Sequence, residues 1–247
     1  MELNHLVPSA DGIDTVVLDY GGVLTNPLAE TFTEFGMRTG LDLQAVGTAF
    51  AAATARYGIS PMAELEVAAI TEQEFTERLL AELPPGSAAA LGGRPFGELW
   101  FQGRRANAGL VDFVRQLRAG GYRTALLTNN VVEWRPRWQA TLPVAELFDA
   151  VVDSSAERVR KPDAELYLRL LERLDTPAGR CLFIDDTAEN LDAARRLGFH
   201  TVLFENTAQT VREVSERLTA QALRELSNRL GHPLVEDLGR PADGALR

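Results

Sequence analysis

One stretch limits this chain more than any other: Val16-Val17-Leu18-Asp19-Tyr20-Gly21-Gly22, a short apolar run that delivers one carboxylate onto a glycine-rich turn. It reads as a buried strand ending in a nucleophile or a metal ligand. Three later fragments place polar groups in the same way, at or just beyond an apolar run: Leu126-Leu127-Thr128-Asn129-Asn130, Arg160-Lys161-Pro162-Asp163 and Leu182-Phe183-Ile184-Asp185-Asp186. Strand ends of this kind are where an open parallel sheet binds its ligands.

The segments between these fragments are helical in pattern. Strands are predicted at 15–18, 124–127, 150–152, 181–184 and 201–204. Leu110, Phe113, Val114 and Leu117 form a helical stripe that stops at Gly120-Gly121, and Leu166, Leu170 and Leu174 form another. This alternation predicts an α/β fold, a doubly wound parallel sheet with helices on both faces.

Between the first strand and its next core helix lies a long helical stretch. Phe32, Phe35 and Leu41 open it, an alanine-rich segment follows at 50–57, and Thr71-Glu72-Gln73-Glu74 forms a capping box ahead of Phe75, Leu79 and Leu80. Pro84 and Pro85 end that helix, and 84–95 reads as a loop. The expected division is a core of 13–26 and 105–206, a helical insertion of 27–104, and a C-terminal helix and tail over 207–247. In that last part Val211, Val214, Leu218 and Leu226 form an amphipathic face for the core or a partner, and a loose tail starts at Gly231.

Composition narrows the function classes. The 247 residues carry a net charge of −10, which argues against a general nucleic-acid binder because phosphate-backbone recognition demands a basic face. The single cysteine, Cys181, opens an apolar run; it permits no intrachain disulfide and points to a reducing, cytoplasmic setting with the thiol buried as a small hydrophobe. Residues 1–12 resemble neither a signal peptide nor an anchor, and no segment approaches the roughly 20 apolar residues of a membrane span. His5, His200 and His232 carry no catalytic signal.

The order and spacing of the four fragments resemble the haloacid dehalogenase superfamily of hydrolases, and the likeness spans most of the chain. It implies a Rossmann-like core with a cap inserted after the first motif. It also implies a phosphoryl-transfer site with Asp19 as nucleophile, forming an aspartyl phosphate. Mg2+ would be held by the side chains of Asp19 and Asp186 and the carbonyl of Gly21, with Asp185 ligating directly or through water. Thr128, Asn129, Gly22 and Lys161 would bind the phosphate, Lys161 also tempering repulsion among the carboxylates. Pro162 and Tyr167 match the surroundings of the family's lysine motif, and the Asp-Asp-x-x-x-Asn pattern ending at Asn190 resembles a sugar-phosphate phosphatase branch.

The chain departs from the family at Gly21, where phosphatases carry a second aspartate that protonates the leaving group. Three outcomes follow: a substrate with a good leaving group, a substitute among the insertion's Glu30, Glu34, Glu64 and Glu66, or a silent module that binds a phosphorylated ligand or protein. Dehalogenation is disfavoured by the paired acids Asp185-Asp186. Trp134, Arg135, Arg137 and Trp138 read as helix packing with solvated arginines rather than as a substrate pocket. The expected partners are a small phosphorylated substrate and, through the cap or the C-terminal helix, a second copy of the chain.

Overall fold

The computed structural model describes residues 12–230. Its strands are β1 (Thr15–Leu18), β2 (Arg123–Thr128), β3 (Ala150–Asp153), β4 (Cys181–Asp185) and β5 (His200–Leu203). All pair in parallel, in the order β3-β2-β1-β4-β5. The chain therefore winds outward from β1 to one edge, then returns and winds to the other. β1 and β4 flank the switch point, where an open sheet leaves a crevice beyond its strand ends.

Six helices follow β1: α1 (Leu28–Thr39), α2 (Leu43–Tyr57), α3 (Pro61–Glu66), α4 (Glu72–Glu82), α5 (Ala88–Leu91) and α6 (Phe96–Phe101). The others are α7 (Ala108–Ala119), α8 (Arg135–Thr141), α9 (Val144–Leu147), α10 (Ser154–Glu157), α11 (Ala164–Leu174), α12 (Ala188–Arg196) and α13 (Thr207–Leu230). Successive residues of β1 feed opposite faces of the sheet, as the two-residue period demands. Val16 and Leu18 pack with α7, Trp138 and the Val214 and Leu218 of α13, while Val17 packs with α11 and α12. The C-terminal helix thus covers the core. Among the described residues, no helix is long and apolar enough to cross a membrane.

The six-helix insert has its own apolar cluster around Phe35, Phe75, Phe96 and Leu99. It leaves and rejoins the core at one point: Asn26 N donates to Arg105 O at 2.9 Å and Asn107 N to Leu24 O at 2.8 Å. Thr71 caps α4 through Glu74 N as the sequence predicts, at 3.2 Å. The reciprocal arm of the box is not made, because the Glu74 carboxylate pairs with Arg78 at 2.6 Å. The predicted loop at 84–95 contains α5: a Gly-rich exit does not prevent Ala88–Leu91 from making one turn, with Leu91 buried as its anchor. His5, His232 and the tail from Gly231 lie outside the described residues.

Candidate active site

Asp19 still belongs to the ladder, its N–H donating to Ile184 O at 2.9 Å. The chain then turns sharply, with Gly22 at φ +90°, a conformation that disfavours side chains. A Cβ on Gly22 would lie 2.3 Å from Asp186 Oδ2. Gly22 therefore serves as the bare surface on which Asp186 rests. Gly21 is different: its φ is −79°, and a Cβ there would meet Arg104 Nη2 at 3.5 Å and Asp19 Oδ2 at 4.0 Å, ordinary contacts.

Lys161, only 2% exposed, bridges the two strand ends. Its Nζ donates to Asp19 Oδ1 at 2.5 Å and to Asp185 Oδ2 at 2.7 Å. Asp185 in turn accepts from Asn190 Nδ2, 3.1 Å from both oxygens, and from Thr187 N at 2.8 Å. The buried Tyr167 hydroxyl donates to Asn190 O at 2.9 Å. Asn129 clamps the Lys161 main chain, accepting from its N–H at 2.8 Å and donating to its carbonyl at 3.1 Å. The sequence pattern at Tyr167 and Asn190 thus has a physical content: it fixes Asp185, which fixes the lysine.

The predicted residues come together unequally. Asp19, Gly21, Asn129, Lys161, Asp185 and Asp186 line one cavity. Thr128 is buried beneath it, its hydroxyl 3.3 Å from Asn129 O, and is not among the lining residues. Asp185 is wholly buried and committed to Lys161, Asn190 and Thr187, whereas Asp186 is exposed towards the cavity.

Charge explains the titration behaviour. Burial pushes Asp19 up to about 7, Lys161 opposing and Asp185 and Asp186 adding repulsion. Burial and the neighbouring Asp185 also raise Asp186. Burial works against the Lys161 ammonium, but Asp185 and Asp19 outweigh it and hold the lysine charged. With all three carboxylates ionised, Lys161 and the nearby Arg104 guanidinium leave the cluster one positive charge short.

That shortfall tests the site for a divalent cation. Among the described residues, no three His, Cys, Asp or Glu side chains are gathered into a metal cage. What is present is two carboxylates, those of Asp19 and Asp186, and the main chain of Gly21, all lining one cavity. Asp19 Oδ2 makes no protein hydrogen bond among the described residues. Hard oxygen donors that are few in number and leave room for water suit Mg2+, which keeps several waters and rarely takes an all-protein cage. The residues fit the ion.

The cavity, about 360 Å³, is roofed by the insert. Phe32, Phe50, Met62, Phe96 and Trp100 line it together with Trp134 from the loop after β2. Trp134 stacks on Phe96 with centroids 6.1 Å apart and is seated on Gly97, where a Cβ would fall 2.2 Å from its Nε1. The packing expectation holds for Trp138, which is buried in the core. Trp134 does both jobs. Arg135 is paired with Asp153 at 3.2 Å rather than simply solvated.

Of the four insert glutamates named from the sequence, only Glu66 lines the cavity. Glu30 and Glu34 pair with Arg105, and Glu64 with Arg78. Burial raises the Glu66 pKa against the pull of Arg160, whose Nε lies 2.7 Å from its carboxylate. Arg104 has no counterpart in the sequence reading. Only 7% exposed, it donates to Asn26 O at 3.1 Å, to Thr31 Oγ1 at 2.9 Å and to Thr25 Oγ1, beside the Tyr20 ring. It occupies the space in front of Gly21.

Comparison with known proteins places this geometry. A stretch of 110 residues is 35% identical to acyl-CoA dehydrogenase family member 10 of Mus musculus, covering 44% of this chain and 10% of that protein. Another, of 119 residues, is 29% identical to a sesquiterpene phosphatase of Aspergillus oryzae, covering 45% of this chain and 57% of that one. The chain thus spans a small part of the first relative and a little over half of the second. A Bacteroides thetaiotaomicron enzyme of the same fold, solved with magnesium and inorganic phosphate, superposes with a TM-score of 0.57 at 20% identity, covering 78% of this chain and 94% of that one. Residues 13–198 match the haloacid dehalogenase-like hydrolase model, and the chain belongs to that family.

Proposed function

We propose that this hydrolase is a magnesium-dependent phosphomonoesterase that acts on a small phosphorylated metabolite through an aspartyl phosphate. One observation carries the reading: Asp19 is pinned by one oxygen to a buried lysine while its other oxygen is unbonded, beside Asp186 and at the base of a cavity. Magnesium held by Asp19, Asp186 and the Gly21 carbonyl would draw the substrate phosphate in and offset its charge.

Asp19 Oδ2 attacks phosphorus, the bond from phosphorus to the alcohol oxygen breaks, and the leaving oxygen takes its proton from water in the cavity, since Gly21 supplies none. Water then attacks the aspartyl phosphate, releasing inorganic phosphate and the carboxylate. Lys161 holds Asp19 in line and stabilises charge on the transferring group. Asp185 acts through Lys161, as a positioning residue. Asn129 sets the Lys161 main chain, and Gly22 and Thr128 shape the turn and strand end beneath the phosphate.

Gly21 motivates a second reading, a catalytically silent member that binds a phosphorylated ligand or protein. Dehalogenation is not favoured, because the acid pair Asp185-Asp186 is retained and Asp186 faces the cavity. The buried Cys181 thiol, pushed up to about 12 by desolvation, is suited to a reducing cytoplasm. A second copy of the chain would pack through the insert or through α13.

The test is phosphate release from p-nitrophenyl phosphate with and without Mg2+, in the wild type and in Asp19→Asn. An aryl leaving group needs little protonation, so the missing acid does not mask activity. Magnesium-dependent release that disappears in the variant is expected. Magnesium binding with no release from any phosphate ester would establish the silent reading instead.

A further inference from the structure

The wall that the insert presents to the cavity is almost wholly hydrocarbon. We infer that the substrate is the phosphate monoester of an apolar alcohol, one whose carbon skeleton carries no hydroxyls beyond the esterified one; this rests on the phosphatase reading of the same site. Among the described residues, the insert contributes two polar side chains to the lining, Glu66 and Arg104. Glu66 is ion-paired with Arg160, and the Arg104 Nη atoms are hydrogen-bonded to Asn26, Thr25 and Thr31.

Several polar side chains of the floor are also occupied, while the exposed Glu189 stands at the cavity edge. Asn129 and Asn190 are bonded to Lys161 and Asp185, the Tyr20 hydroxyl to Thr141 at 2.8 Å, and Asn130 Oδ1 accepts from Val131 N at 3.0 Å. A sugar seated against the insert wall would meet carbon there and lose hydration of its hydroxyls with few replacement partners, which costs affinity. A hydrocarbon would meet Phe32, Phe50 and Met62, all only partly buried, and the rings of Phe96, Trp100 and Trp134.

Those rings are held before any ligand arrives. Phe96 stacks on both Trp100 and Trp134 at 6.1 Å, and Phe32 meets Trp100 edge-on at 4.7 Å. A preformed aromatic surface gains from apolar contact without first paying to order its side chains. Leu28, 41% exposed at the rim, extends the same surface outward. The phosphate end is set by the carboxylate cluster below, so head and tail of the ligand are both assigned.

The experiment separates tail recognition from hydrolysis. Binding of methyl-, butyl-, hexyl- and octylphosphonate, which cannot be hydrolysed, is measured by calorimetry in the presence of Mg2+ and below micelle-forming concentrations. Affinity should rise roughly three- to fourfold per added methylene until the cavity is filled, and glucose 6-phosphate should bind no better than methylphosphonate. Met62→Gln, a near-isosteric change on a partly buried wall residue, should reduce the gain per methylene.

A flat chain-length series, or tighter binding of glucose 6-phosphate than of octylphosphonate, overturns the inference. Octyl phosphate and glucose 6-phosphate are then compared as substrates. Turnover confined to the sugar phosphate overturns the inferred class and leaves the phosphatase reading standing. A rising phosphonate series with no release of phosphate from either ester or from p-nitrophenyl phosphate supports the pocket assignment and removes the phosphatase reading.

Discussion

Below the cavity, two carboxylates at the ends of β1 and β4, Asp19 and Asp185, are hydrogen-bonded to one lysine, with Asp186 beside them; above it, the insert presents aromatic rings and a methionine. The floor is fixed by directional bonds that a single atom's change would break. The roof is fixed by ring packing that tolerates exchange of similar shapes. On the proposed reading, the difference puts chemistry in the floor and choice of substrate in the roof. Changes below should alter the rate of the chemical step, and changes above should alter which alcohol is accepted.

The largest effect should come from Asp19→Asn. The amide keeps the shape but is a poor nucleophile, and phosphate release should fall by on the order of 10^4-fold or more, the scale of losing a covalent nucleophile. Circular dichroism and thermal unfolding should show an intact fold. A folded variant with wild-type turnover would break the assignment of chemistry to the floor.

The neighbouring acids sharpen the comparison within the floor itself. Asp185→Asn removes one partner of a fully buried ion pair and should destabilise the protein by about 3–5 kcal/mol, read from denaturant unfolding, with activity falling as Lys161 loses its fixed position. Asp186→Ala, at an exposed position, should leave stability nearly unchanged and weaken Mg2+ binding in calorimetry, with excess Mg2+ restoring part of the activity. Equal stability losses in the two variants would erase the distinction between a positioning acid and a metal-facing one.

On the roof, Gly97→Ala places a Cβ 2.2 Å from Trp134 Nε1, so the indole must leave its seat. Overpacking of this kind costs about 1–3 kcal/mol. The expected result is a lower Tm, a shifted tryptophan emission and a higher KM for apolar esters, with kcat on p-nitrophenyl phosphate largely kept. A fall in kcat as large as that of the floor variants would show that roof and floor are not separable.

The same division governs what could be read from sequence. Asp19, Asp185 and Asp186 were legible because a parallel sheet puts its strand ends side by side, and each strand carries its polar residue in local sequence. The strands and the Thr71 cap were legible for the same local reason. Lys161, in the loop after α10, was legible through the family resemblance of its motif. Arg104 and the Glu66–Arg160 pair were not, since each becomes meaningful only when the insert folds back over the crevice. Nor was the roof. A 3.6-residue period marks Phe32, Phe50 and Trp134 as apolar but does not say whether a ring faces a neighbour or a cavity.

Gly21 is where floor and roof meet, and it gives the smallest effect and the finest test. Its backbone angles suit any residue, and a Cβ would make only ordinary contacts, so Gly21→Asp should fold with stability within about 1 kcal/mol of wild type, as expected of a change away from strained or overpacked sites. The new carboxylate would stand against Arg104, whose guanidinium has its nearest nitrogen 3.5 Å from that Cβ. Such a neighbour favours the ionised form, which cannot protonate a leaving group. Alkyl phosphate turnover should therefore rise by less than the roughly hundredfold that a well-poised general acid supplies. Combining Gly21→Asp with Arg104→Met should raise it further, because the carboxyl is then free to hold a proton. Rates on a series of phosphates with graded leaving-group pKa would show this as a shallower dependence in the double variant. A full gain in Gly21→Asp alone would mean that Arg104 does not govern this position. No dependence on leaving group in the wild type, with chemistry rate-limiting, would mean that a proton donor is already present, and Glu66→Gln would be the variant to make next.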